Sequence, residues 1–319
     1  MIRRRHLLVG AMAMGVARPI RATETLTLLV GAKPGSATDE GARAFVPFLA
    51  RHLPFIDIDV RNVPGGAGLA AAQALADLPA NGATLGWAAT PTLPARVVDR
   101  GASDLMQRIM LLGAVQKEPV AIVSPAATPL ASVQDIVARS SDDADAVPLG
   151  TPPAGSPPHL AALRLQALAR TRLNIVAFPS AMAARQAAIA GNVAAAALGL
   201  SSAIGDLREG RLSGLGIAVN SRAEAFPDMP LLREAGLDLS AFIRRGLAAP
   251  SGLPAERARR LSEALQAVVA DPEFRDQGDA GGFLATWIDG LTWEAVAATE
   301  RAELSRLWGT EPWLQEGAG

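Results

Sequence analysis

Apolar positions along this chain switch between two periods, and the switching predicts a wound α/β protein. Thr25–Val30 (TLTLLV) is a short apolar run closed by Gly31, the pattern of a buried strand. From Thr38 to His52 the apolar residues Ala42, Phe45, Val46 and Leu49 fall at helical spacing. Ile56–Val60 (IDIDV) alternates as a strand, Gly68–Leu78 is an alanine-rich helix, and Thr84–Ala89 is a third strand. Five elements, β-α-β-α-β, within 65 residues argue for a parallel sheet covered by helices.

The pattern then resumes. Arg108–Val115 and Val120–Val123 read as strands and Ser132–Arg139 as a helix. A second β/α series follows: strand Val147–Gly150, helix Pro158–Arg170, strand Asn174–Phe178, helix Met182–Ala190, and strands Val193–Leu198 and Leu215–Val219. Leu253–Ala270 and Trp293–Trp308 are predicted as amphipathic surface helices, the first opened by Leu253-Pro254-Ala255-Glu256. No long Gly/Ser or Pro-rich linker separates the series, so two α/β lobes sharing crossing strands fit better than independent domains.

Composition narrows the chemistry. Of 319 residues half are apolar and 19% charged, which excludes a disordered chain. Cysteine is absent, ruling out disulfides, thiolate sites and a lipoprotein anchor built on Cys. The three histidines (His6, His52, His159) are too scattered for a histidine metal site. Neither a metal nor any other cofactor is expected. Met1–Ala22 reads as an export signal: Arg3–Arg5 is basic, Leu7–Val16 is apolar, and small residues follow. That apolar stretch is half the roughly 20 residues needed to span a bilayer. Arg4-Arg5 fits either a twin-arginine or an ordinary secretory signal. Without residues 1–22 the formal charge falls from −1 to −6, a poor match for nucleic acid.

Candidate chemistry sits in three glycine-rich loops at predicted strand ends: Gly31–Asp39, Asn62–Gly68 and Gly150–His159. In parallel sheets these loops face the ligand, and the helix starts behind them offer N–H groups to an anion. Ser36-x-x-Asp39 also fits a capping box, a purely structural role. Gly66-Ala67-Gly68-Leu69-Ala70-Ala71 matches a dinucleotide fingerprint, but Thr84–Thr90 lacks the acid that would hold a ribose. Gly199–Ala203 is an incomplete nucleophile elbow with no histidine after it. No catalytic set assembles, so a binding protein is favoured over the alternative, an exported α/β hydrolase or nucleotide-dependent enzyme.

The loops and their surroundings resemble a known family. GAKPGSATDEGAR (Gly31–Arg43), VRNVPGGAGLAAAQALADLPANGATL (Val60–Leu85) and GTPPAGSPPHLAALRLQ (Gly150–Gln166) are similar to segments of Bug-type receptors, the periplasmic solute-binding proteins of tripartite tricarboxylate transporters. IAVNSRAEAFPDMPLLREAGL (Ile217–Leu237) and LAAPSGLPAERARRLSEAL (Leu247–Leu265) continue the match in order. The resemblance implies a type II periplasmic binding protein. Its lobes would comprise 23–120 with 244–319, and 121–243, with crossing strands near Ala114–Val123 and Leu239–Ala249 and a ligand cleft between them. It implies a receptor that binds a small carboxylate through loop amides and works with membrane transporter subunits or a sensor kinase; nothing in the sequence calls for more than a monomer. Carried over by position, the ligand-binding residues would be Ala32, Pro34, Gly35, Ser36, Thr38 and Asp39 from the first loop. Thr151, Gly155, Ser156 and His159 would come from the middle loop, and Ala88, Thr90, Phe178 and Leu198 from strand ends. Gly35, Ser36, Gly155 and Ser156 would donate backbone N–H groups, and Thr38, Thr90 and Thr151 their hydroxyls. Asp39 would either cap its helix or meet a ligand donor. Departures are Ala32 in place of an aromatic, Phe178-Pro179-Ser180-Ala181 without the usual tyrosine and lysine, a missing acid near Leu198-Gly199, and Pro157-Pro158. They predict a roomier, more apolar pocket, suited to a carboxylate with a larger apolar or aromatic body.

Overall fold

The computed structural model describes residues 24–127, 130–222, 226 and 229–314. The export signal expected at 1–22 lies outside them. The first half of the chain runs β1 (Glu24–Val30), α1 (Ala37–His52), β2 (Ile56–Asn62), α2 (Leu69–Ala76), β3 (Thr84–Thr90), α3 (Thr92–Asp99) and α4 (Leu105–Arg108). The middle runs β4 (Ile109–Pro125), α5 (Val133–Asp142), β5 (Pro148–Thr151), α6 (Pro157–Ala169), β6 (Asn174–Ala177), α7 (Ala181–Ile189), β7 (Ala195–Gly199), α8 (Leu200–Arg208) and β8 (Leu212–Ile217). The chain closes with β9 (Phe242–Pro250), α9 (Ala255–Ala270), α10 (Pro272–Gly281), β10 (Leu284–Asp289) and α11 (Gly290–Thr310).

The strands order as β2-β1-β3-β9-β4-β7-β5-β6, with β8 and β10 paired to β4 off that path. β1 is parallel to β2 and β3, as the alternation of strand and helix requires, and β5 is parallel to β6 and β7. β4 joins the two halves. Its residues Ile109–Pro119 pair antiparallel with β9, and Val120–Val123 pair with β7. On the return path Ala241 N–H donates to Ala218 and Val120 N–H to Ala241, after which Phe242 pairs with Pro119. The sheet therefore changes partners at Pro119/Val120 and again at Ala241/Phe242.

Two expected strands, Arg108–Val115 and Val120–Val123, are one strand of 17 residues. The polar stretch Gln116-Lys117-Glu118-Pro119 looks like a loop in isolation, yet Gln116 and Glu118 are buried where the halves meet. The strand expected at Leu215–Val219 is β8, placed three residues earlier in its start. α3, α8, α10 and β10 were not anticipated.

Each half has its own core. Phe45 of α1, Trp87 of β3 and Phe274 of α10 stack between the first sheet half and α9, with Phe45 and Trp87 ring centroids 4.9 Å apart. Small residues of β7 (Ala195, Ala197) pack with Leu149, Leu165 and Ile136 on one face of the second half. Across the back, Leu304 of α11 and Trp313 pack on Leu160 and Leu163 of α6 and Ala95 of α3, so the terminal helix bridges both halves.

Candidate functional site

Between the halves lies a cavity of about 660 Å³, within the usual range for small-molecule sites. Its walls come from the loop after β1 (Ala32, Ser36), the start of α1 (Ala37, Thr38), β3 (Trp87, Ala88) and the loop after β5 (Pro152–Pro158). Opposite stand the starts of α7 (Ser180, Ala181) and α8 (Ser201, Ser202), with Phe283 at the rim. Apolar side chains dominate, among them Trp87, Leu93, Ile109, Ile243 and several prolines and alanines.

The first loop is built by its own side chains. Gly35 has φ 73°, a left-handed turn that glycine adopts without strain. Ser36 caps α1, accepting from the Asp39 N–H at 3.4 Å. The reciprocal bond of a capping box shifts by one residue: the Asp39 carboxylate accepts from Gly35 N–H at 2.9 Å. It also accepts from Arg43 Nε at 3.0 Å and Asn62 Nδ2 at 2.8 Å. Burial opposes ionisation of Asp39, but the bonds from Arg43, Asn62 and Gly35 outweigh it and hold the carboxyl below its ordinary range. The Asp39 carboxylate thus serves as an internal brace of the loop, a role different from both the helix cap and the ligand contact expected for it.

The middle loop repeats this geometry with other chemistry. Gly155 has the same φ of 73°, and its N–H donates to His159 Nδ1 at 3.4 Å. Burial, helped by the nearby Arg96 guanidinium, pushes the His159 pKa down to about 4, so the ring is neutral at pH 7. Ser156 does not cap α6 as Ser36 caps α1: its buried hydroxyl makes no bond to the His159 N–H or to any other protein group, and Pro157 and Pro158 leave the first two helix positions without donors.

The two loops thus face one cavity, with Ala32, Ser36, Thr38, Ala88, Gly155 and Ser156 on its lining. The amides expected to donate are engaged within the protein. Gly35 and Gly155 donate to Asp39 and His159, Ser36 N–H donates to Lys33 at 3.2 Å, and Ser156 N–H to Pro153 at 2.9 Å. The donors that the helix leaves outside its ladder on this wall are instead the first-turn amides of Ala37 and Thr38. Other expected residues stand outside the lining. Pro34 and Gly35 are exposed on the loop's outer side, and Asp39 and His159 are braces behind it. Thr90 is fully buried and accepts from Trp293 Nε1 at 3.0 Å, while the Thr151 hydroxyl donates to Pro152 O at 2.9 Å. Leu198, a residue of β7, is fully buried in the core of the second half, and Phe178 packs against the same cluster.

Three charged side chains on the lining were not anticipated. Arg96 of α3 is buried, pairs with Asp99 at 2.6 Å and reaches Ala154 O at 3.3 Å across the cleft. Glu118 of β4 is buried; its Oε1 accepts from Ser201 N–H at 3.0 Å and Ser201 Oγ at 2.6 Å, and its Oε2 from Arg245 Nη1 of β9. All three belong to segments that carry no motif, and only the burial of Glu118 beside Pro119 in a mixed strand could have flagged them. On the back of the molecule a second hollow of about 380 Å³ runs between α6 and α11. Glu300 at its edge is paired with Arg244 at 2.7 Å, and burial pushes its pKa up to about 7 against the pull of Arg244 and Thr90. Among the described residues no group of three or more His, Asp or Glu is placed to hold a metal, and no helix is long and apolar enough to cross a membrane.

A family model described as tripartite tricarboxylate transporter family receptor matches residues 51–299. The chain belongs to that family. A UPF0065 protein of Bordetella bronchiseptica is 30% identical over 277 residues, covering 84% of this receptor and 81% of the relative. Among solved structures, MatC of Rhodopseudomonas palustris with bound malate is 23% identical, with a TM-score of 0.75 over 89% of this receptor and 98% of that chain. An R. palustris protein solved with adipate is 20% identical, with a TM-score of 0.79 over 90% of this receptor and 96% of that chain. These likenesses establish the fold class expected from the sequence, a periplasmic-binding-protein architecture with a cleft between sheet halves. The family is one of periplasmic solute-binding receptors and not of enzymes.

Proposed function

We propose that this receptor, exported to the periplasm as a monomer, captures a small carboxylate with an apolar or aromatic body and presents it to a tripartite tricarboxylate-type transporter or a sensor kinase. The observation that carries the reading is the cavity itself. It is closed by Ala, Pro, Leu and Trp side chains, and a helix start and one accessible arginine supply the attraction for an anion. The malate and adipate held by two relatives of the same fold support the carboxylate class. The apolar side chains that dominate the cavity favour a hydrocarbon body on the ligand here. Two lobes, hinged where β4 and the Ala241/Phe242 step change partners, would close around it.

A thermal-shift screen of the chain lacking residues 1–22 against carboxylic acids, amines and neutral solutes tests this. A cognate acid at 100 times its Kd adds about 2.7 kcal/mol to stability. Carboxylates with apolar bodies should raise Tm and be recovered unchanged. Stabilisation confined to neutral or cationic solutes, or consumption of the acid, overturns the proposal.

A further inference from the structure

We infer that Arg245 is the side chain that receives the ligand's carboxylate, and that Glu118 already fills the neighbouring anion position at the start of α8. The cleft therefore selects a monocarboxylate over a dicarboxylate of the same skeleton. The inference rests on the carboxylate reading above and narrows it to one charge.

The charged groups on the lining decide the matter. Among the described residues they are Arg96, Glu118 and Arg245. Arg96, with a side chain 5% exposed, is spent on Asp99 and the Ala154 carbonyl. The Glu118 carboxylate is 1% exposed and sits where a bound anion would, accepting from the second amide of α8, from the Ser201 hydroxyl and from Arg245. The backbone is shaped for it: a Cβ on Gly199 would come within 2.3 Å of Glu118 Oε1, so β7 must end in glycine for this carboxylate to enter. Arg245 is different. It lies on the central strand β9, between Ala89 and Gln116, and its side chain is 20% exposed on the cavity lining. A guanidinium has five N–H donors, and Glu118 takes one of them here. The rest are available to a carboxylate, and Glu118 fixes the plane in which they are presented.

The same pairs set the limit. Arg96 with Asp99 and Arg245 with Glu118 leave the walls with no net charge, so the one anion admitted is met by Arg245. A second carboxylate would enter an apolar cavity with no free cation to meet it. It would also face the Glu118 charge, and like charges at short range in a low dielectric repel strongly.

Isothermal titration of the chain lacking residues 1–22 with matched acids tests this: hexanoate against adipate, and 3-phenylpropanoate against 3-(4-carboxyphenyl)propanoate. The monoacid of a pair should bind at least tenfold more tightly. Arg245→Gln should weaken the monoacid at least tenfold, and Arg245→Lys should restore part of the loss by keeping a cation. Glu118→Gln should move the diacid-to-monoacid affinity ratio at least tenfold toward the diacid. Because Arg245→Gln strands a buried carboxylate, the double variant Glu118→Gln/Arg245→Gln, with unliganded Tm measured alongside, separates lost binding from lost folding. A wild-type preference for diacids, an unchanged ratio in Glu118→Gln, or full monoacid binding by a folded double variant overturns the inference and leaves the carboxylate reading standing. Failure of any acid to bind overturns both.

Discussion

The loops that face each other across the cleft share a backbone and differ in everything attached to it. In both, a glycine at φ 73° sends its N–H to the side chain four residues on, and a serine precedes the helix. The first loop closes with an ionised Asp39 that also binds Arg43 and Asn62, and its helix opens with amides. The second closes with a neutral His159 in a buried setting, and its helix opens with two prolines. One geometry thus produces an anion-attracting wall on one side and a dry, donor-poor wall on the other. On the proposed reading, that contrast would orient a ligand with an anionic head and an apolar body.

Filling the two glycines should break the symmetry most. A Cβ on Gly35 meets nothing within 4 Å, so Gly35→Ala costs only the left-handed strain, about 1 kcal/mol. A Cβ on Gly155 would fall 1.5 Å from Arg96 Nη2 and 2.7 Å from Trp313 Nε1. Gly155→Ala should therefore cost about 3 kcal/mol or more in denaturant unfolding, since it also displaces a buried ion pair. Equal losses for the two would show that the middle loop is not wedged against α3.

Acid should separate the loops next. The folded pKa of His159, about 4, lies below its unfolded value near 6.5, so its contribution is present above pH 6.5 and fades as pH falls toward 4. The full difference is about 3 kcal/mol. Asp39 is shifted down as well, but from the ordinary carboxylate range, so its contribution is complete across this window and is lost only as pH falls through that range. Between pH 7 and 5 the wild type should lose stability relative to His159→Gln, Glu300 opposing the loss equally in both, while Asp39→Asn should leave that difference unchanged. The smallest expected effect is at the serines. Ser36→Ala removes a helix cap worth about 1 kcal/mol. Ser156→Ala removes a hydroxyl without a protein partner and should change stability by less than about 0.5 kcal/mol, so a loss matching that of Ser36→Ala would refute the asymmetry.

The alternation of strand and helix from Thr25 to Ala89, the parallel sheet it builds and the placing of glycine-rich loops over one cleft were all readable before any coordinates. Local chemistry suffices for these, because apolar period and turn residues act over a few positions. Even the Ser36/Asp39 cap was legible, though its return bond goes to Gly35 rather than to the cap itself. Which amides remain free was not legible. Gly35 and Gly155 look like open donors in sequence and are closed by Asp39 and His159 once the helices turn those side chains back over the loops.

The charged floor shows the same division more sharply. Glu118, Ser201 and Arg245 are separated by 83 and 44 residues and form no motif, yet β4, α8 and β9 bring them into one hydrogen-bonded set. Pattern along the chain was enough to show a two-part α/β scaffold presenting small-residue loops to a shared space. Which charges stand in that space, and which are already answered, was set by how the strands cross. Periodicity is a property of neighbours along the chain, whereas the state of a buried charge depends on partners that only the crossing strands bring near.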